Sequence, residues 1–510
     1  MMHTQGPSLQ SSMATEPIDV AISRWRTAAL NDAAYGRWAA DWSALELYLQ
    51  DQHLDDTLQA AKRAYPQASQ DWFAEVSWVF VPFVQKVAQT LAVEFDVAPS
   101  TYLVRRGDET PLPATDPNVI QWREDERRLR LPQVLKDLER RTTALRNQLV
   151  TAVWMRDHVE WRAYSPQDVR ILQSESNPES LQDAPVVALR LHRPLATDGT
   201  RQSDHWLAYT LDEQTGQRGL WLLDADGRRI GAPVFQDGAN PYGCTPAVLW
   251  QWDSPGRGQL WVPPPESLLA TQRAANLGQT DMHYGLRYNA HPVPVLYGNA
   301  LNAAGKAGPA NGQAIGPARP LNFGDRQTEG LEFVRPGLNT VEHRVTIEAL
   351  IQQAATMYGL PPDAFATISN LRNQSAMAEV KAELDRIRKE RRPVIRELVA
   401  RTFDAHRAVA NLWAVMGDAF VANGVAPGFS RVLYDDDVEL RVEFVARHTT
   451  SDRQTAAQAT SVELQTGQTS DVELEMARSG GTREEAAAAV ARRQQASPPA
   501  APEPAPPTVP

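Results

Sequence analysis

Apolar residues recur at mixed spacings that include three- and four-residue steps between Ala21 and about Val97: Leu45, Leu47, Tyr48, Leu54 and Leu58, then more cleanly Phe83, Val84, Val87 and Leu91. Helices place such positions on one face, so this stretch is predicted helical. A second stripe, Leu135, Leu138, Leu145 and Leu149, predicts a helix from Leu131 to Trp154. From Val159 the texture changes. Val186–His192, Trp206–Leu211 and Leu220–Leu223 are β-rich runs separated or bounded by turn dipeptides such as Thr215-Gly216 and Asp226-Gly227, the pattern of short strands. A Gly/Pro loop beginning at Asn240 leads into an apolar strand that ends at Trp250.

Pro263, Pro264 and Pro265 then introduce a helix from Glu266 to about Tyr288, which His291-Pro-Val-Pro294 stops. Residues 291–339 form a Gly/Pro-rich insert with two strand-like pieces, Val293–Tyr297 and Leu331–Val334. A second helix, Thr340 to about Tyr358, carries Val345, Ile347, Leu350 and Ile351 and ends at Gly359-Leu-Pro-Pro362. After a loop over 363–374, a long helical run from Ser375 to about Met416 follows the stripe Val380, Leu384, Ile387, Ile395, Leu398 and Phe403. Pro393 lies inside it and is expected to kink it. A β pair, Val432–Leu433 with Val438–Phe444, is expected around the acidic turn Asp435, Asp436 and Asp437. Small helical units cover 452–464, 472–477 and 482–495, before a Pro/Ala-rich tail that is predicted extended and disordered.

Composition sharpens this mainly α+β picture. A chain of 510 residues has room for two to four domains at roughly 100–200 residues each. Fourteen tryptophans against twelve tyrosines point to large packed surfaces, core packing first. The formal net charge of −11 disfavours tight wrapping on nucleic acid, which calls for a basic excess. Cys244 is the sole cysteine, so an intramolecular disulfide and a multi-cysteine zinc site are excluded and a reducing cytoplasm is the expected setting. The start lacks the basic and apolar regions of a signal peptide. The longest apolar run, Trp78–Val84, is broken by Pro82 and far short of the roughly 18 residues that span a membrane, so a soluble protein without membrane contact is expected.

Candidate chemistry changes the picture by its absence. HExxH, GxSxG and CxxC do not occur. Gly298 to Lys306 resembles a phosphate-cradling loop, but six residues separate its glycines where four are required, and Ala307 stands where Ser or Thr would hold magnesium. His283, His291 and His343 lack metal-ligand spacing and read as surface or interface residues. Asp435–Asp437 reads as a solvated hairpin turn. The cations Arg386, Arg388, Lys389, Arg391 and Arg392 alternate with Glu379, Glu383, Asp385 and Glu390, which favours an exposed, salt-bridged helix face over a phosphate-binding patch. No catalytic residue, metal or cofactor is expected, and the chain is read as a non-enzyme.

The order of elements carries a resemblance. Helical and β-rich parts lead to a helix, an αβ insert, a second helix, Gly-Leu-Pro-Pro, a loop and a long helix. Local segments add to it: Pro82–Leu91, Tyr164–Val169, Tyr358–Pro362, Ser375–Glu379, Gly467–Ser470 and Gly481–Ala486. In this the chain resembles the portal proteins of tailed double-stranded DNA bacteriophages, over most of residues 20–495. The resemblance implies a mainly helical, multi-domain α+β fold. Between disordered termini (1–19 and 497–510) it assigns 20–262 to a wing, 263–290 and 340–362 to stem helices, 291–339 to a clip and 363–374 to a tunnel loop. Residues 375–450 become a long kinked helix with the wing β pair, and 451–496 a crown. It further implies a homo-oligomeric ring, usually of twelve subunits, at one capsid vertex of a virion assembled in the host cytoplasm. Its partners would be the terminase large subunit, major capsid and scaffolding proteins, and a head-completion or adaptor protein. Double-stranded DNA would pass through non-specifically, along Ile368, Ser369, Asn370, Leu371, Arg372 and Asn373 of the tunnel loop. Lys306, Arg319 and Arg326 would meet partners at the clip. Another virion component, such as an adaptor or tail protein, is the alternative, and a packaging-associated enzyme a more distant one.

Overall fold

Helices α1 (Pro17–Ala28), α2 (Ala33–Leu49), α3 (Leu54–Ala64) and α4 (Phe83–Leu91) fill the predicted N-terminal helical stretch. Asp55 and Asp56 open α3, and Lys62 and Arg63 close it, each sign at the helix end where the backbone dipole favours it. In this computed structural model the chain divides into two compact units, Met1–Phe444 and Val445–Pro510. The structure describes residues 17–444 except 31, 69–72, 75, 156–157, 193–203, 231–237, 291–292, 298–320, 324–329, 335–339, 359, 361–373 and 423–432. The second unit, and with it the predicted crown and C-terminal tail, lies outside the described residues.

Strand β1 (Ser100–Arg105) and helix α5 (Pro117–Leu129) follow. The Asp116 carboxylate accepts from the Asn118 N–H and Pro117 occupies the first turn, two features that start helices. Arg130, in the left-handed region at φ 52°, separates α5 from α6 (Leu131–Leu145). The helix expected to reach Trp154 therefore stops at Leu145: Arg146 turns left-handed at φ 63°, and Asn147–Met155 form strand β2. Leu149 kept the helical stripe alive in the sequence, yet it sits on a strand. β-branched residues Val150, Thr151 and Val153 favour that outcome.

Strand β2 lies between β3 (His158–Tyr164) and β8 (Ala247–Gln251), antiparallel to both. A meander of β4 (Val169–Leu172), β5 (Val186–Leu191), β6 (His205–Leu211) and β7 (Arg218–Leu223) forms a second sheet in chain order, as the β-rich runs predicted. Of the expected pairing of Val432–Leu433 with Val438–Phe444, Val432 lies outside the described residues and Leu433 is not in a strand. Strand β12 (Val438–Glu443) pairs with β1, Ser100 opposite Glu443 and Arg105 opposite Val438. Asn411 takes both the N–H and the C=O of Tyr434, and Leu433 is exposed. Arg105 binds Asp435 at 2.8 Å and Asp437 at 2.5 Å, so the acidic turn is closed by an arginine from β1.

Helix α7 (Glu266–Ala290) leads to a small sheet of β9 (Val293–Tyr297), β10 (Leu321–Phe323) and β11 (Gly330–Val334), with β9 in the centre. Helix α8 (Thr340–Met357) returns, and α9 (Gln374–Ala422) runs for 49 residues with Pro393 inside it. Two large cores organise the first unit. One gathers Trp42, Leu45, Phe83, Val87, Leu149, Tyr209, Trp261, Leu268 and Ala355. The other gathers Trp122, Leu135, Val150, Trp161, Trp250, Ile395, Phe403 and Leu440. Strand β2 supplies both because successive side chains point to opposite faces. Trp25, Trp42, Trp122 and Trp250 are fully buried, in keeping with the core reading of the tryptophans.

Candidate functional site

Helices α7 and α8 pack side by side and carry the small β9–β11 sheet between them in sequence. Between them, a β-carbon on Gly278 would lie 3.2 Å from Ile347 Cγ1 and 3.3 Å from Cδ1. Glycine costs about 1 kcal/mol in a helix relative to alanine, so its place here reflects the tight spacing. Gly278→Ala is expected to be nearly neutral, helix propensity offsetting a small shift of Ile347. Gly278→Leu is expected to destabilise by about 1–3 kcal/mol through overpacking. Thermal unfolding of the two variants checks this; equal melting temperatures would mean that the helices have room to spare.

Helix α7 is seated through a ladder of buried polar side chains one turn apart: Gln272, Asn276 and Thr280. They read the backbone of the extended segment before and into α4. Gln272 Oε1 accepts from the Val84 N–H at 2.9 Å, and its Nε2 donates to the Val81 carbonyl at 2.6 Å. Asn276 Oδ1 accepts from the Val81 N–H at 2.9 Å, and Thr280 Oγ1 from the Val79 N–H at 3.1 Å. Asn276 Nδ2 also donates to Thr57 of α3 at 3.2 Å. Arg273 binds Asp56 of α3 through two nitrogens at 2.9 and 2.5 Å, and Tyr48 donates to the same carboxylate at 2.8 Å. Burial pushes the Asp56 carboxyl up, but these partners outweigh it and hold it below the usual value. Spacing of four residues puts all three ladder positions on one helical stripe, where two side-chain amides and a hydroxyl substitute for a neighbouring strand.

Helix α9 is anchored by a second buried network. His406 Nε2 lies 3.1 Å from Asp125 Oδ2, and Tyr434 donates to the same oxygen at 2.7 Å. Trp161 Nε1 donates to His406 Nδ1 at 3.3 Å. An indole N–H can only donate, so Nδ1 is the acceptor and the imidazole proton sits on Nε2, facing Asp125. Burial pushes Asp125 up, but hydrogen bonds from His406, Tyr434 and Gln121 hold it below the usual carboxylate range. Nearer the start of α9, Arg392 binds Glu94 at 3.0 Å, and burial lowers Arg391 against the pull of Glu139 and Asp253. Glu139 accepts from the Glu94 and Phe95 N–H groups at 3.1 and 3.2 Å, while burial pushes its carboxyl up to about 7.

The basic cluster on α9 thus divides. Arg386 pairs with Glu383 and Glu390, and Arg388 with Asp385, as expected of a salt-bridged face, whereas Arg391 and Arg392 turn into the body. His283 is exposed and His343 half-buried. His291, the Gly298–Lys306 segment, the tunnel-loop residues Ile368–Asn373 and the clip residues Lys306, Arg319 and Arg326 lie outside the described residues. Sequence reasoning passed over Gln272, Asn276 and Thr280, whose signal was their regular four-residue spacing on the helix that also carries the buried Leu268, Leu269 and Ala275. It also passed over Asp125 and His406, which are 281 positions apart and share no local pattern.

Among the described residues no group of three or more His, Cys, Asp or Glu side chains is placed to hold a metal ion, and no helix is long and apolar enough to cross a membrane. No family model matches the chain, and no curated protein matches it. A solved chain described as "Virion of native gene transfer agent (GTA) particle" is similar over 84% of this chain and 94% of that one, with 13% identity and a TM-score of 0.34. A likeness that slight does not establish a shared fold and adds nothing to the functional reading.

Proposed function

We propose that this chain is a portal subunit, one copy of a ring at a capsid vertex through which double-stranded DNA is packaged and ejected. The observation that carries the reading is the run of two packed helices, α7 and α8, with the β9–β11 sheet inserted between them, followed by the long helix α9 rooted in the body. It joins the sequence resemblance, which covers the same segments in the same order. Rigid seating suits such a role, since a helix pair that transmits force must not slide on its base, and the Gln272–Asn276–Thr280 ladder fixes α7 by backbone hydrogen bonds. The net charge of −11 suits a passage that must not grip phosphates. The role needs no catalysis, metal or cofactor. Copies would join head to tail, the interface type that closes into rings.

Negative-stain microscopy of the purified full chain tests this. Annular particles with a central channel are expected; compact particles without a channel across the accessible concentration range would overturn the reading. Deleting residues 291–339 is expected to leave rings that no longer dock the terminase large subunit, and rings of the deleted chain that still dock it would remove the clip assignment.

A further inference from the structure

His53, between α2 and α3, is only 4% exposed, and neither of its ring nitrogens has a hydrogen-bond partner. Its ring stacks on Tyr48, with centroids 4.7 Å apart and planes 25° apart, and meets the Phe80 ring in a T-shaped contact at 4.6 Å with planes 86° apart. Both neighbours belong to the seat of α7. Tyr48 donates to Asp56, which holds Arg273. Phe80 stands between Val79 and Val81, whose N–H groups bind Thr280 and Asn276. The imidazole is packed as an apolar disc between two parts of one clamp.

We infer that His53 is a proton-operated latch on the seat of α7. Neutral, the ring fills the space between Tyr48 and Phe80. Protonated, it must regain water, and its outlet is past Phe80, which is already 38% exposed. A buried cation without a hydrogen-bond partner is costly, and few groups offset that cost. Asp51, in the turn before it, lies 3.7 Å from Nδ1 with its side chain 75% exposed, where water screens the attraction. Asp56 of α3 is engaged by Arg273 and Tyr48. Helix α2 presents the Tyr48 phenol and the extended segment presents the Phe80 ring. His53 is also the N-cap of α3, a position whose free N–H groups disfavour a cation.

Burial accordingly holds the imidazole below its ordinary value, against the pull of Asp51 and Asp56. With the folded-state value depressed, the latch is fully closed above the unfolded value of about 6.5 and is lost as pH falls through the folded value.

Hydrogen exchange of the full chain at about pH 7.5 and about pH 5.5, which brackets the histidine range, reads the latch at the Val79, Val81 and Val84 amides. After correction for intrinsic exchange rates, these amides are expected to exchange severalfold faster at the lower pH. His53→Phe keeps the ring and removes the titration, so its corrected rates should not change with pH. Phe80→Ala opens a path for water to the imidazole and should also flatten the response, from a faster baseline. An unchanged wild-type rate, or the same pH response in His53→Phe or Phe80→Ala, would overturn the proposal.

Discussion

Asp125→Ala is expected to destabilise the protein by about 2–6 kcal/mol, the cost of leaving the buried His406 and Tyr434 donors without their acceptor at about 1–3 kcal/mol each. The carboxylate receives His406 Nε2 at 3.1 Å, the Tyr434 hydroxyl at 2.7 Å and Gln121 Nε2 at 3.2 Å. His406 is fully buried, and Tyr434 nearly so. Without Asp125 these donors keep their desolvation cost and lose their acceptor, and Trp161 holds the imidazole in the tautomer that points its proton at the gap. Asp125→Asn retains one acceptor oxygen and is expected to lose only about 1–3 kcal/mol. Because the carboxyl is held below its ordinary value, its stabilisation is present above the unfolded value of about 3.9 and disappears as acid carries the pH through the folded one. Urea unfolding of both variants at neutral pH measures the difference. Should Asp125→Ala unfold at the wild-type midpoint, the network does not hold α9 to α5.

Gln272→Leu is expected to cost about 2–6 kcal/mol, from a buried Val84 N–H and a part-buried Val81 carbonyl left unmatched at about 1–3 kcal/mol each. Leucine preserves volume, so the loss isolates the polar contribution: the Val84 N–H loses its acceptor and the Val81 carbonyl its donor. The signature is local. Hydrogen exchange at Val84 should accelerate beyond the global change, since a leucine side chain cannot replace the amide that shielded it. A variant that melts as wild type with Val84 still protected would show that water or a backbone shift satisfies the segment, and that α7 is seated by apolar contacts alone.

Much of the element order was legible because local patterns govern it. The prolines at 263–265 and those at 292 and 294 bracket α7, and strands β5 to β7 followed from β-rich runs between Gly-containing turns. The misreadings have specific physical sources. Leu149 falls in phase with the α6 stripe although Arg146 ends the helix, and a four-residue step is also an even step along a strand. Helix α5 escaped notice because its inward face carries Asp125 and Asn118 beside Trp122. The pairing of β12 with β1 was out of reach since a hairpin prediction considers only neighbours, while β1 lies more than three hundred positions away. Both tunnel-loop and clip residues rested on the family resemblance, as loop residues of mixed polarity carry no periodic signal.

The sequence by itself determined a mixed α+β chain, an insert between two helices, a long helix after them, and the absence of recognisable catalytic and metal-binding motifs. Those conclusions rest on spacing, turn chemistry and composition, which act within a few residues. Only the tertiary structure decided that Gln272, Asn276 and Thr280 bind the backbone of residues 79–84, that Asp125 meets His406, and that His53 lies sealed between Tyr48 and Phe80. Each of these joins segments whose partnership no local rule prescribes. A polar side chain on an inward face becomes stable only when a distant group satisfies it, and which group does so depends on how the whole chain packs.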